Sequence, residues 1–341
     1  MKSVSPITMK DIAEHFGVSV ATVSRALSNS NRISQERRNA IQEYARQHHF
    51  YPNSIAGSLR LNKVRPMKII GVIVPEFVHY YFASVLKGVE EEASARGYRI
   101  MVAPSNESYE REVRICQSFD AFRVCGVILS QAKDTQKYDH FQTLIDKGIP
   151  LVFYDRICTG VDASRVVVDD YTGAFNAVSH LISTGCRRIA FYGTNMTMEI
   201  AKNRYNGFRD ALLKFNLDVD ERFVRYCDNR ADAEAITPDI LNMENPPDAF
   251  FAVNDDTAIG ILYTAKRMGF RVPEDISICG FTNGYRSVAC DPMLTTVEQR
   301  GVQVGEEAAN ILINKVEGIS PRDKVEKRVV RTRLIKRGTT R

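Results

Sequence analysis

No stretch of the 341-residue chain approaches the ~18 consecutive apolar residues of a membrane-spanning helix, so no membrane span is expected. The first residues, MKSVSPITMKDIAEHFG, lack the apolar core of a secretory signal, which predicts a cytoplasmic protein. The seven cysteines, Cys116, Cys125, Cys158, Cys186, Cys227, Cys279 and Cys290, are odd in number and never spaced C-x-x-C. That argues against a zinc site or a disulfide framework and for reduced packing residues. The six histidines have no metal-ligand spacing, so no metal is expected. Also missing are a G-x-x-x-x-G-K-[ST] loop, a G-x-G-x-x-G after a strand, a G-x-S-x-G elbow and an H-E-x-x-H pair. No catalytic residue is therefore assigned, no cofactor is expected, and an enzyme is not. With 20 glycines, 12 prolines, 44% apolar and 26% charged residues, the composition is that of a folded protein. At ~100–200 residues per domain the length suits two or three units.

Charge is unevenly placed. Residues 1–68 carry eleven Lys and Arg against four acids, whereas residues 69–341 carry 35 against 37. The excess positive charge belongs to the N-terminal fifth, as in a nucleic-acid module joined to a near-neutral body.

That basic segment is patterned as three helices. Thr8 caps the first, with Asp11 in capping-box position and Ile12 and Phe16 one turn apart; Gly17 ends it. Ser19 caps a second helix with Val23, Ala26 and Leu27 on one face and Val20, Ala21, Ser24, Arg25 and Ser28 on the other. The outward face carries one long cation among small residues, which lets a helix backbone approach the floor of a DNA major groove. Ser34 caps a third helix running to about His49, with Ile41, Tyr44 and Ala45 inward and Arg37, Arg38 and Arg46 outside.

The run from KDIAEHFGVS through ATVSRAL to YPNSIAGSLR resembles the DNA-binding head of the lactose-repressor/galactose-repressor (LacI/GalR) family of bacterial transcription regulators. The resemblance implies base contacts from Val20, Ala21 and Arg25, the last reading guanine with its fork of donors. Ser24 is placed with them on the outward face. It implies phosphate contacts from Thr8, Ser19, Thr22 and Asn29. Beyond them it implies a hinge carrying Ala56, Leu59 and Arg60, with Leu59 wedged into the minor groove. Gly57 stands where many relatives have Arg. Since Gly costs a helix about 1 kcal/mol relative to Ala, that hinge is expected to depend more on DNA and on a partner chain to fold.

From Ile69 the pattern becomes strand and helix in alternation. IIGVIV, RIMVA, GVILS and PLVFYD are separated by helices near 80–96, 107–123 and 136–147. A second series, RVVVD, RIAFYG, FVRYC, AFFAVN and ISICGF, is separated by helices near 171–183, 201–215, 231–241 and 255–268. Repeated βαβ units predict parallel sheets, here in two lobes, with a small-molecule cleft at the carboxyl ends of the strands.

The stretches HLISTGCRRIAFYG, NRYNGFRDAL, FFAVNDDTAIG and RVPEDISICGF resemble the periplasmic-binding-protein-like sensor domain of the same family. The fold class expected is α/β, an N-terminal three-helix helix-turn-helix head plus a two-lobed periplasmic-binding-protein-like sensor domain with parallel sheets. The division expected is a head over 1–52, a hinge over 53–68 and the two-lobed domain over 69–341, with lobe crossovers near 168, 298 and 329. The resemblance implies a ligand site at Tyr81, Phe82, Asp155, Arg156, Arg204, Asn229, Asn254, Asp255 and Thr282. Helix capping is the competing role for Asp255. Many sugar-responsive relatives have Asp directly after the G-F/Y of ISICGF, where this chain has Thr282 and Asn283. With Arg204 and Arg156 inside, the cleft is expected to hold more cation than carboxylate and to suit an anionic ligand, Arg204 gripping its charged end.

Together these readings predict a sequence-specific DNA-binding regulator, a repressor of carbohydrate catabolic genes controlled by a small sugar, sugar phosphate or sugar acid. It is expected to bind double-stranded operator DNA as a homodimer, because the C-terminal KRVVRTRLIKRGTTR contains no leucine heptads to build a tetramer. The competing classes are a cytosolic α/β enzyme and a solute-binding protein.

Overall fold

Capping chemistry sets the helix ends of the N-terminal segment. The computed structural model describes residues 7–48, 50, 68–194 and 196–341, in two units divided between residues 67 and 68. In the first unit, α1 (Met9–His15), α2 (Val20–Leu27) and α3 (Gln35–Gln47) surround Ile12, Val23, Ala26, Ile41 and Ala45, all buried. Thr8 and Asp11 form a reciprocal capping box, Thr8 N donating to Asp11 Oδ2 at 2.7 Å and Asp11 N to Thr8 Oγ1 at 3.3 Å. Gly17, at φ 59°, takes the left-handed turn after α1 that a residue with a Cβ resists. Ser19 Oγ accepts from Thr22 N at 3.2 Å and opens α2. Ser34 holds the cap position of α3 without a side-chain hydrogen bond. Val20 and Leu27 are both half-buried and pack on the same core, so the division into inner and outer faces is less sharp than the helical wheel suggests.

The second unit opens with β1 (Ile69–Val74), α4 (Tyr80–Ala95), β2 (Arg99–Pro104), α5 (Tyr109–Ala121), β3 (Gly126–Leu129), α6 (Asp139–Asp146), β4 (Leu151–Tyr154) and β5 (Ser164–Val168). It continues with α7 (Asp170–Ser183), β6 (Ile189–Gly193), α8 (Glu199–Lys214), β7 (Val224–Tyr226), α9 (Arg230–Leu241), β8 (Ala249–Ala252), α10 (Asp255–Arg267) and β9 (Ser277–Thr282). It ends with α11 (Arg286–Ala289), β10 (Thr295–Glu298), α12 (Gly301–Val316), β11 (Lys327–Val330) and β12 (Arg333–Ile335).

The strands make two six-stranded sheets, ordered β11-β5-β4-β3-β1-β2 and β12-β10-β9-β8-β6-β7. Every pairing is parallel except β12 with β10. Parallel strands covered on both faces must be apolar throughout, and β1, β3, β4, β6, β8 and β9 are buried almost from end to end. The chain passes from the first lobe to the second after β5, returns after β10 to lay α12 on the first sheet, and crosses again between β11 and β12. Helices α4 and α12 meet backbone to backbone: a Cβ at Gly88 would lie 2.0 Å from the Val302 carbonyl oxygen. The C-terminal KRVVRTRLIKRGTTR is therefore two strands serving two different sheets.

Candidate functional site

On the first unit, α2 turns Ala21, Ser24 and Arg25 to solvent, with Ser19 and Asn29 exposed at its two ends. Val20 and Thr22 are half-buried, so Val20 offers an edge rather than a whole side chain. Asn29 adopts φ 57°, and its Oδ1 accepts from Gln42 Nε2 at 2.8 Å, the same amide that donates to the Ala26 carbonyl at 2.8 Å. This amide, not singled out in the sequence, fixes the exit of α2. Arg46 pairs with Glu43, whereas Lys10, Arg25, Arg32 and Arg37 are exposed with no carboxylate within 4.0 Å among the described residues. Ala56, Leu59 and Arg60, assigned to the hinge with Gly57, lie outside the described residues.

In the second unit a cavity of about 370 Å³ lies between the lobes, where the carboxyl ends of both sheets face each other. Tyr81, Phe82, Asp155, Arg156, Arg204, Asn229, Asn254 and Thr282 all line it.

The first lobe supplies four polar groups to the cavity without a hydrogen-bond partner: the Asp155 carboxylate, the Tyr81 hydroxyl, His79 Nδ1 and Arg156 Nε. Asp155 is 5% exposed, at φ 57°, and no hydrogen-bond donor reaches its carboxylate; the nearest cation is Arg156 Nε at 4.0 Å. Burial pushes its carboxyl above the ordinary range, with Arg156 and Arg204 pulling the other way. The Tyr81 hydroxyl is buried and unpartnered, as is His79 Nδ1, and burial holds that imidazole below its usual pKa. Phe82 forms an apolar wall at a ring distance of 5.4 Å from His79, and the Arg156 guanidinium sits 5.5 Å from its centroid. Unsatisfied buried polar groups cost about 1–3 kcal/mol each, so a cluster of them at a cavity wall marks a place where a ligand completes the hydrogen bonding.

The second lobe differs from expectation at two residues. Arg204 lines the cavity, but its donors are already engaged: Nε and Nη2 reach Asp170 Oδ1 at 2.8 and 2.7 Å, and Nη1 the Val253 carbonyl at 2.7 Å. Its guanidinium stacks 4.0 Å from the Phe281 centroid. Burial raises Asp170 to about 6 despite that arginine. Asp255 is turned out of the cavity altogether. Its carboxylate accepts from Gly284 N at 2.7 Å and from the Thr296 hydroxyl, pinning the loop after β9, so it is a clasp rather than a ligand contact. Asn229 and Asn254 are N-caps, accepting from Asp232 N and Thr257 N at 2.9 and 2.8 Å. Asn254 Nδ2 also donates to the Asp228 carbonyl at 2.6 Å. Thr282, at φ 132°, donates to Gln299 Oε1 at 3.0 Å, its strained backbone making the turn that brings Gly284 to Asp255.

The Asp255 clasp has a pH signature. Burial raises its pKa to about 6, against the pull of Thr296 and Gly284, so the folded state binds a proton that the unfolded chain, near 3.9, releases. Its contribution to stability therefore increases as pH falls from 7 towards 5. Paired urea denaturations of wild type and Asp255→Asn at pH 7 and 5 are expected to show wild type gaining on the variant by up to ~1.4 kcal/mol per pH unit. A pH-independent difference would show that the carboxyl titrates normally.

The charge balance also departs from expectation. Five cations line the cavity, Lys133, Arg156, Arg204, Arg230 and Arg286, and each has a carboxylate partner: Asp228, Glu107, Asp170, Glu234 and Asp256. Asp155 pairs only loosely, 4.0 Å from an Arg156 Nε that is itself buried without a hydrogen-bond partner, so the cleft offers an open acceptor beside an open donor rather than excess cation. Among the pairs, Lys133 Nζ to Asp228 Oδ2 at 2.7 Å bridges the two lobes, and Thr194 Oγ1 steadies the same oxygen at 2.8 Å. None of Lys133, Asp228, Glu107 or His79 carried a sequence signal; their roles come from segments brought together by the fold.

Residues 8–53 match the family described as "Bacterial regulatory proteins, lacI family", and residues 178–340 match the periplasmic binding protein-like domain. The chain is 30% identical over 344 aligned positions to the HTH-type transcriptional repressor CytR of Escherichia coli K12, covering 100% of this chain and 98% of that one. It belongs to the LacI family. The ribose operon repressor of Bacillus subtilis is also 30% identical, over 90% of each chain. A lac repressor dimer bound to operator and an anti-inducer shares the fold, with a TM-score of 0.86 and 22% identity over 98% of this chain and 99% of that one. This LacI-family protein is a DNA-binding transcriptional regulator, and the enzyme alternative falls away because its relatives are repressors. Among the described residues no helix is long and apolar enough to cross a membrane, and no group of three or more His, Cys, Asp or Glu could hold a metal ion.

Proposed function

We propose that this protein is a cytoplasmic repressor that binds a pseudo-palindromic operator as a homodimer and is controlled by a neutral, hydroxyl-rich effector in the interlobe cleft. The observation that carries the effector class is the Asp155 carboxylate, buried and without a donor, beside the unpartnered Tyr81 hydroxyl. A carboxylate in that state accepts from sugar hydroxyls and repels phosphate or acid groups, which favours a sugar over a sugar phosphate or sugar acid. Phe82 would pack on the apolar face of the ring. An effector that contacts one arrangement of the lobes better than another shifts the equilibrium between operator-competent and incompetent states by that difference.

For the dimer, support comes from Phe77, Val78, Tyr80, Tyr285 and Val288, large apolar side chains left exposed, with Tyr80 packed against Gly284. A monomer at all concentrations in sedimentation would count against it.

In the head, Arg25 is assigned to guanine readout, Ala21, Val20 and Ser24 to neighbouring base edges, and Thr8, Ser19, Thr22 and Asn29 to phosphates. Ala56, Leu59 and Arg60 are assigned to a hinge over 53–68. Arg25→Ala is expected to lose about 1–3 kcal/mol at the base pair it reads, relaxing preference there. Equal losses on operator and random DNA would remove it from base readout. The effector class is tested by thermal shift and calorimetry with neutral sugars, sugar phosphates and sugar acids, since a ligand that binds only the folded state raises its stability. Stabilisation by the charged compounds alone would overturn it.

A further inference from the structure

All strands of the first sheet run parallel, so their amino ends share one edge, and the chain arrives at that edge from the DNA-binding head through Lys68. Six exposed cations lie at or within a few residues of those strand starts: Lys68, Arg99, Arg123, Arg322, Lys324 and Lys327. None has a carboxylate within 4.0 Å among the described residues. Lys147 and Arg96, on the same edge, are taken by Asp120 and Glu317, and the exposed acids left without a cation are Asp146, Asp162 and Asp323. Near the corresponding strand starts of the second lobe, by contrast, Arg188, Arg222 and Arg271 are paired with Asp248, Asp220 and Asp275.

Part of the first edge is built to receive an anion. Lys315, 2% exposed at the end of α12, donates its ammonium to the carbonyls of Pro321 at 3.4 Å, Arg322 at 3.2 Å and Lys324. In a planar trans peptide the N–H points opposite to the C=O. Drawing these carbonyls in therefore turns the N–H groups of Arg322, Asp323 and Val325 away from the ammonium, and none of the three finds an acceptor among the described residues. Arg322 stands beside them, its Nη1 steadied on the Gly148 carbonyl at 3.1 Å. Free backbone N–H groups in a turn, flanked by cations, form an anion-binding surface.

We propose that this edge is a second DNA contact: its cations and the N–H groups of the 321–325 turn engage backbone phosphates of the duplex that the head holds. Neighbouring strands lie ~4.8 Å apart, so from β11 to β2 the edge spans ~24 Å, a length over which duplex DNA presents about fourteen charges. The covalent tether to the head makes this contact intramolecular, so contacts too weak to hold DNA alone still add to affinity. Phosphates carry no sequence information, and the edge strengthens binding without choosing the operator.

The test uses the full-length protein and an operator duplex recovered by selection from a randomised pool. One variant combines Arg99→Gln, Arg123→Gln and Lys324→Gln. A control combines Arg111→Gln, Lys137→Gln and Lys214→Gln, exposed cations away from this edge, and so removes equal charge. Each neutralised phosphate adds ~0.9 to the slope of log affinity against log salt, so the edge variant is expected to lose about 2–3 from that slope, and the control less than about one. The advantage of wild type over the edge variant then shrinks by more than about tenfold between ~50 and ~200 mM salt. Ethylation interference is expected to reveal phosphates whose modification weakens wild type but not the edge variant. Melting temperatures report that both variants have folded. An unmoved slope, a control that moves it as far, or one ethylation pattern for wild type and edge variant would overturn the inference.

Discussion

Asp155→Asn is expected to weaken effector binding by about 10–100-fold while the melting temperature of the effector-free protein holds or rises. The first half follows from a hydrogen bond to a charged acceptor, worth about 1.5–3 kcal/mol, where each 1.4 kcal/mol is tenfold in affinity. The second follows from the burial that raises the carboxyl pKa: with no donor reaching it, the charge opposes folding, and the neutral amide removes that opposition at nearly constant volume. The backbone tolerates the change, because Asn, like Asp, adopts the left-handed φ of 57° found there. Calorimetry with any effector from the panel, beside thermal melts, reads both halves. A lowered melting temperature with unchanged affinity would make Asp155 a structural residue.

Arg204→Ala is expected to destabilise the protein by about 3–5 kcal/mol, the loss typical of removing one partner from a buried ion pair. Asp170 would stay in its buried position with no cation, and the Val253 carbonyl and the Phe281 face would each lose their contact. Replacing both partners with apolar residues, Arg204→Met with Asp170→Leu, is expected to recover most of that loss. Urea denaturation of the single and double variants measures it. A single variant as stable as wild type but deaf to effector would restore Arg204 to the direct ligand-binding role suggested by sequence. Its pairing with Asp170 argues that it first holds the second lobe together.

Local signals were the legible ones. The Thr8–Asp11 capping box, the Gly17 turn, the Ser19 cap and the strand-helix alternation from Ile69 to ISICGF are written in residues a few positions apart, and they appear where the spacing puts them. The cleft positions were legible through family resemblance, since strand ends are easily located. Hidden were the partnerships across long sequence separations. Nothing near Arg204 announces Asp170, nothing near Asp255 announces Gly284 and Thr296, and Lys133 meets Asp228 only because the lobes face each other. Counting arginines therefore misjudged the charge of the cleft. Helix α12 was missed although its apolar residues recur as regularly as those of α4; what the sequence did not announce is that its small residues serve the close approach to α4.

The two outer strands β11 and β12, drawn from residues 327–335, set a rule for biosynthesis. Translation delivers the chain in order, so the first lobe waits for α12 and β11 until residue 330 has left the ribosome, whereas the head is complete within the first 50 residues. A premature stop after residue 326 strips an edge strand from both sheets at once. A stop between Val330 and Arg333 instead spares β11 and removes β12 alone, leaving the first sheet complete and the second without its edge strand. Late frameshifts are therefore expected to impair effector control while leaving the head, complete within the first 50 residues, intact.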